Sequence, residues 1–138
     1  MTKIKYDLNI MKYISLFESL TNTKVKDCIN SENQVIFIVG ENEIAQAIGK
    51  NGVHAKNMSN ILKKPIKVVE FNSDVTEFIK NFIHPIKVKE IQKDNDVISI
   101  VGIDTKTKGQ IIGRDRVNLE NLIRVVKRYF PVSNIKVV

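Results

Sequence analysis

Apolar residues recur at Ile10, Tyr13, Ile14, Phe17 and Leu20, three or four apart, the spacing of a helix with one buried face. Asp7 or Asn9 stands where a cap is needed, and Thr21-Asn22-Thr23 ends the pattern. Residues 25–29 then read as a strand, 30–33 as a turn, and the unbroken apolar run 35–39 as a buried strand. After Gly40 the period returns to that of a helix, over 41–48 and again over 53–64, with Gly49-Lys50-Asn51-Gly52 between the two. Pro65 cannot continue a helix, and residues 66–69 read as a short closing strand. The predicted order is α-β-β-α-α-β.

The same order begins again after Glu70. Asp74 and Glu77 have the spacing of a capping box, ahead of an apolar face made by Val75, Phe78, Ile79, Phe82 and Ile83. Pro85 closes that helix. Next come a strand over 86–91, a polar turn over 93–96, and a second strand over 97–101 ended by Gly102. A helix is predicted over 105–112, a turn at Gly113-Arg114-Asp115-Arg116, a longer helix over 117–130 stopped by Pro131, and a last strand over 135–138. Local matches run in parallel with this order. Val35-Ile36-Phe37-Ile38-Val39-Gly40 corresponds to Val97-Ile98-Ser99-Ile100-Val101-Gly102 at an offset of 62, and Ala47-Ile48-Gly49-Lys50 to Ile111-Ile112-Gly113-Arg114 at 64. Ile66-Lys67-Val68-Val69 matches Ile135-Lys136-Val137-Val138 at 69. Three matches in order argue for a duplication, giving an α+β chain of two domains, 1–70 and 71–138. The join has neither glycine nor proline and is too short for a flexible tether, so the two modules are expected to pack together.

Charge narrows the class of partner. The net charge is +7 and the pI about 9.5, which favours nucleic acid or another anionic surface. The halves carry excesses of +3 and +4, so the basic character belongs to both modules and not to a tail. Cys28 is the single cysteine, which excludes an internal disulfide and a cysteine metal cluster; in a strand it reads as a buried thiol. The N-terminus has no apolar run behind its charges, and no window approaches 18 apolar residues. The expectation is a cytoplasmic protein with no membrane association.

The chemistry concentrates at Gly49-Lys50-Asn51-Gly52. Two glycines leave the edges of the turn without side-chain bulk, so another molecule can come close to the backbone. The next helix turns its N-terminal amides and positive dipole end to the same place. Lys50 adds a mobile charge, and Ile48 and Val53 supply apolar walls, a combination suited to a phosphodiester strand. A P-loop would need Gly-x-x-x-x-Gly-Lys followed by Ser or Thr; here Gly40 lies nine residues before Gly49, and Asn51 follows Lys50. His54 and His84 have no cysteine or carboxylate at ligand spacing, so no metal or other cofactor is expected. His54 reads as a solvated surface residue. Lys63-Lys64 and Lys127-Arg128 are accounted for by helix ends, where positive charge complements the dipole. Neither paired carboxylates nor a Ser/His/Asp constellation is evident, so the chain does not read as an enzyme.

Helices flanking Ile-Gly-x-x-Gly beside a three-stranded sheet resemble a KH domain, and the order α-β-β-α-α-β is that of type II. Two such modules with little else resemble the short archaeal form of the NusA transcription factors, over essentially the whole chain. The resemblance implies single-stranded RNA binding in transcription elongation, termination or antitermination, with RNA polymerase as a second partner. A KH Gly-x-x-Gly loop clamps the backbone of about four nucleotides. Carried over, Gly49 and Gly52 allow close approach, Lys50 and Asn51 face phosphates, and Ile44, Ala45, Ile48 and Val53 floor the groove, with the strand at 66–69 as its other wall. Plain core packing is the competing account of Ile44, Ile48 and Val53. In the second copy Ile112, Gly113, Arg114 and Arg116 are the counterparts. Arg116 replaces the last glycine: its side chain crowds the phosphate path, although it can start the following helix without strain. Asp115 repels phosphate, whereas Arg114 and Arg116 attract it. The alternatives are a KH-type protein of ribosomal RNA or ribosome assembly, and a polymerase-docking adaptor without strong RNA binding. Duplication within the chain removes one reason to dimerise, and a monomer is expected.

Overall fold

A computed structural model describes residues 8–138. Contacts divide the chain into two compact units, one reaching Asn72 and the other Ser73–Val138. The first contains α1 (Leu8–Thr21), β1 (Val25–Asn30), β2 (Val35–Val39), α2 (Ile44–Ile48), α3 (Val53–Leu62) and β3 (Ile66–Glu70). The second repeats the order as α4 (Val75–Ile83), β4 (Glu90–Asp94), β5 (Val97–Val101), α5 (Thr105–Ile112), α6 (Val117–Tyr129) and β6 (Asn134–Val137). Asp7, proposed from sequence as a cap for α1, lies outside the described residues. Among the described residues no helix is long and apolar enough to cross a membrane.

Each unit holds one three-stranded sheet, ordered β1-β2-β3 and β4-β5-β6. The first two strands of each sheet pair antiparallel through a short turn, and the third lies parallel to the middle one. The parallel pairing needs a crossover, which the two helices supply. In the first unit all five residues of β2 are buried, as a middle strand made only of Val, Ile and Phe requires. Val35, Phe37 and Val39 join Phe17, Cys28, Ala47 and Met58 in the core, where the rings of Phe17 and Phe37 stack with centroids 4.2 Å apart. In the second unit only alternate residues of the middle strand, Ile98 and Ile100, are fully buried, and the α4 face predicted from its apolar spacing is buried throughout.

Four boundaries depart from the pattern. The helix expected over 41–48 begins only at Ile44, because Asn42 takes a left-handed conformation (φ 68°) and the Glu70 carboxylate holds its amide at 2.9 Å. α3 ends at Leu62; left-handed Lys63 donates its amide to the Ser59 carbonyl and turns the chain before Pro65. The strand expected over 86–91 starts four residues late, at Glu90. Pro85 has no N–H to give, and the Ile86 amide bonds back to the Ile83 carbonyl at 2.9 Å, so the segment finishes the helix end before it joins the sheet. The polar turn expected over 93–96 tightens to Asn95 and Asp96, with Asn95 at φ 55°, a conformation that asparagine tolerates. The proposed capping box gives way to a simple cap: Asp74 accepts from the Thr76 amide at 2.9 Å, one residue short of Glu77, and the Glu77 carboxylate faces Lys80 at 3.4 Å.

Candidate nucleic-acid interface

α2 runs into Gly49 and α3 runs out of Gly52, so the loop sits where two short helices meet beside β3. Gly49 adopts φ 78°, ψ 169°, Asn51 φ 58°, ψ 25°, and Gly52 φ 72°, ψ 22°. Only Gly49 is closely packed. A Cβ there would fall 2.4 Å from His54 Cδ2 and 2.9 Å from Val53 Cγ1, whereas a Cβ on Gly52 would meet nothing within 4 Å among the described residues. The first glycine is thus required by contact as well as by backbone angle, and the second by angle alone. The Gly52 amide donates to the Gly49 carbonyl at 3.1 Å and the Val53 amide to that of Lys50, which commits two of the amides expected to face an anion. The side chains of Lys50 and Asn51 are left exposed at the tip.

The second loop has the same backbone. Gly113 lies at φ 76°, ψ 168°, Asp115 at φ 54°, ψ 27°, and Arg116 at φ 63°, ψ 17°, each angle within 9° of its counterpart in the first loop. The expectation of an unstrained Arg116 is therefore wrong: it takes the left-handed conformation of the glycine it replaces, at a cost of roughly 1–2 kcal/mol. Its Nε lies 3.8 Å from the Glu120 carboxylate with most of the side chain in solvent. Arg114 is also exposed.

The apolar residues of the predicted groove divide. Ile44 packs against the core at its edge, so core packing accounts for part of its role. Ile48 and Ile112 are half-buried, Ala45 is exposed, and Val53 keeps 43% of its surface open. β3 is an edge strand of its sheet, with Ile66 and Val68 turned to the core. Lys67 alternates to the opposite face, where desolvation by burial lowers its pKa below the usual lysine value. It is not a solvated cation on the helix side. Lys64 does more than end a helix, since its ammonium bonds Asn30 Oδ1 at 2.9 Å and the Ser31 carbonyl at 3.0 Å and ties α3 to the β1–β2 turn.

The residue that sequence reasoning placed wrongly is His54. Its ring lies against Gly49 and is only partly exposed, and Nδ1 is buried with no hydrogen-bond partner among the described residues, so it is not a freely solvated histidine. Asn118 fills the equivalent place in the second unit, with its amide 2.5 Å from where a Gly113 Cβ would be and Nδ2 donating to the Gln110 carbonyl at 3.3 Å. Both residues stand five places after the first glycine of their loop, a correspondence that gains meaning only once the contact is seen.

These features define a class, an α+β protein built twice on one plan, with a glycine-led basic turn between helices in each copy. No family model matches the chain. It is 32% identical to the probable transcription termination protein NusA of Methanococcus vannielii over 99% of its own length and 80% of that protein's. With the protein of the same name from Thermoplasma acidophilum the identity is 30%, covering 99% and 97%. That of Methanocaldococcus jannaschii is 28% identical over the full chain and 77% of its own length. The crystal structure of APE1850 superposes with a TM-score of 0.73 at 30% identity, covering 96% of this chain and all of that one. The chain belongs to the archaeal NusA family.

Proposed function

We propose that the protein is a transcription termination and elongation factor that holds nascent single-stranded RNA on two tandem type II KH modules. The observation that carries this reading is the shared backbone of the two loops, kept even where Arg116 must take a glycine's conformation. A turn that served only to join two helices has no reason to retain a strained arginine. With Lys50 and Asn51 exposed at one tip and Arg114 and Arg116 at the other, each loop offers donors to phosphate oxygens. Ile48 and Val53 lie beside the first tip, where unstacked bases can rest, and Ile112 lies beside the second. The open edge of β3 supplies backbone groups for base edges. Two modules on one strand gain affinity through effective concentration. RNA polymerase, the source of the nascent strand, is the expected second partner, and the named relatives support a role in termination.

The test is fluorescence anisotropy with a labelled single-stranded RNA. Wild-type protein is expected to bind with an affinity that falls as salt rises, and Lys50→Asp with Asn51→Asp to weaken binding without unfolding the chain. A folded double variant of unchanged affinity rejects the loop assignment.

A further inference from the structure

We propose that His54 is the positioning residue of the first loop, and that the unbonded Nδ1 of its ring leaves this loop less firmly tied than the second. The inference rests on the reading of the loop as an RNA clamp. In both copies the side chain five places after the first glycine lies directly against that glycine, so close that a Cβ would overlap it. Such a side chain sets how near the end of one helix can come to the start of the next, and therefore where the tip residues stand. The two copies accomplish this differently. Asn118 packs against Gly113 and also donates to the Gln110 carbonyl at 3.3 Å, so it bridges α5 and the start of α6 across the turn. His54 has the packing without the bridge, because Nδ1 is buried and bonds to no group among the described residues. The offset of 64 that relates Gly49 to Gly113 also relates His54 to Asn118 and Gln46 to Gln110, so the carbonyl needed for the same bridge stands at the equivalent position of the first unit. Substituting asparagine for the histidine gives the first loop the bonding of the second. A loop held in its bound geometry before RNA arrives loses less freedom on binding.

Three variants of the full chain, His54→Asn, His54→Ala and Asn118→Ala, test this with two measurements: amide hydrogen exchange at residues 50–53 and 114–117, and anisotropy with a fluorescein-labelled single-stranded RNA of mixed sequence. His54→Asn is expected to slow exchange at 50–53 and to tighten RNA binding about threefold, the gain from ordering the loop in advance. His54→Ala speeds exchange there and weakens binding, so that asparagine rescues what alanine loses. Asn118→Ala speeds exchange at 114–117 and leaves 50–53 alone. Exchange at 50–53 that is unchanged or faster in His54→Asn overturns the missing bridge, and slower exchange with unchanged affinity overturns the positioning role. If wild-type protein binds the RNA no better than a neutral control, the RNA reading fails by itself, and exchange in the three variants still decides whether the loops are tied as described.

Discussion

The two glycine positions of the first loop make different demands, and substitution separates them. Gly49→Ala puts a methyl into the His54 ring at a positive φ, so it is expected to displace α3 and to lower the thermal midpoint sharply. Gly52→Ala meets open space and carries only the backbone penalty, roughly 1 kcal/mol, and the variant is expected to fold. The converse holds in the second loop. Arg116→Gly relieves the left-handed arginine and is expected to stabilise the second unit by about 0.5–1 kcal/mol, after the larger entropy of glycine in the unfolded chain is subtracted. Loss of the Arg116–Glu120 pair offsets little of this gain, because both groups are exposed. Denaturant unfolding measures the shift, and a destabilised Arg116→Gly variant contradicts the account of the loop. The same substitution is expected to weaken RNA binding, since it removes a cation from the tip.

At the scale of elements, position along the chain was legible where burial and period agreed. β2 was readable from residues 35–39 because a wholly apolar run in a middle strand has one solution, and α5 was readable between Asp104 and Gly113. Boundaries slipped where a single hydrogen bond or a left-handed residue decided them, as at Asn42, Lys63 and Asn95. The glycine turn itself was legible from its sequence. The contact beneath it was not, because it depends on a φ that places the His54 ring against Gly49 and not on any period. Phe37, stacked on Phe17 in the core of the first unit, is the test of that core: Phe37→Ala is expected to cost about 3–5 kcal/mol. A loss below 1 kcal/mol in calorimetry contradicts the packing described. The N-cap of α5 gives a pH dependence. The Thr107 amide donates to the Asp104 carboxylate at 2.7 Å, and this bond holds the Asp104 pKa below its ordinary 3.8. The stability it supplies is fully present above that ordinary value and is lost as the pH falls through the lowered one. Asp104→Asn is expected to remove this one small contribution to the acid limb of the stability curve without altering the fold, and an unchanged limb shows that the carboxylate contributes nothing to it.

For the whole molecule the governing quantity is a +7 charge shared between two units of one plan. RNA binding through both loops predicts a steep salt dependence, with a log–log slope of about −0.7 for each phosphate neutralised on a single strand. Arg114→Asp is expected to cost less affinity than the pair of changes at Lys50 and Asn51, because the second loop retains Arg116. The measurement that bears most directly on the central claim is anisotropy of a labelled single-stranded RNA against wild-type protein and the Lys50→Asp, Asn51→Asp variant, with circular dichroism confirming the fold of each. Loss of two charge-assisted or amide contacts to phosphate predicts at least a tenfold weakening, about 1.4 kcal/mol or more. Equal affinity in a folded variant would show that RNA does not lie on the first loop.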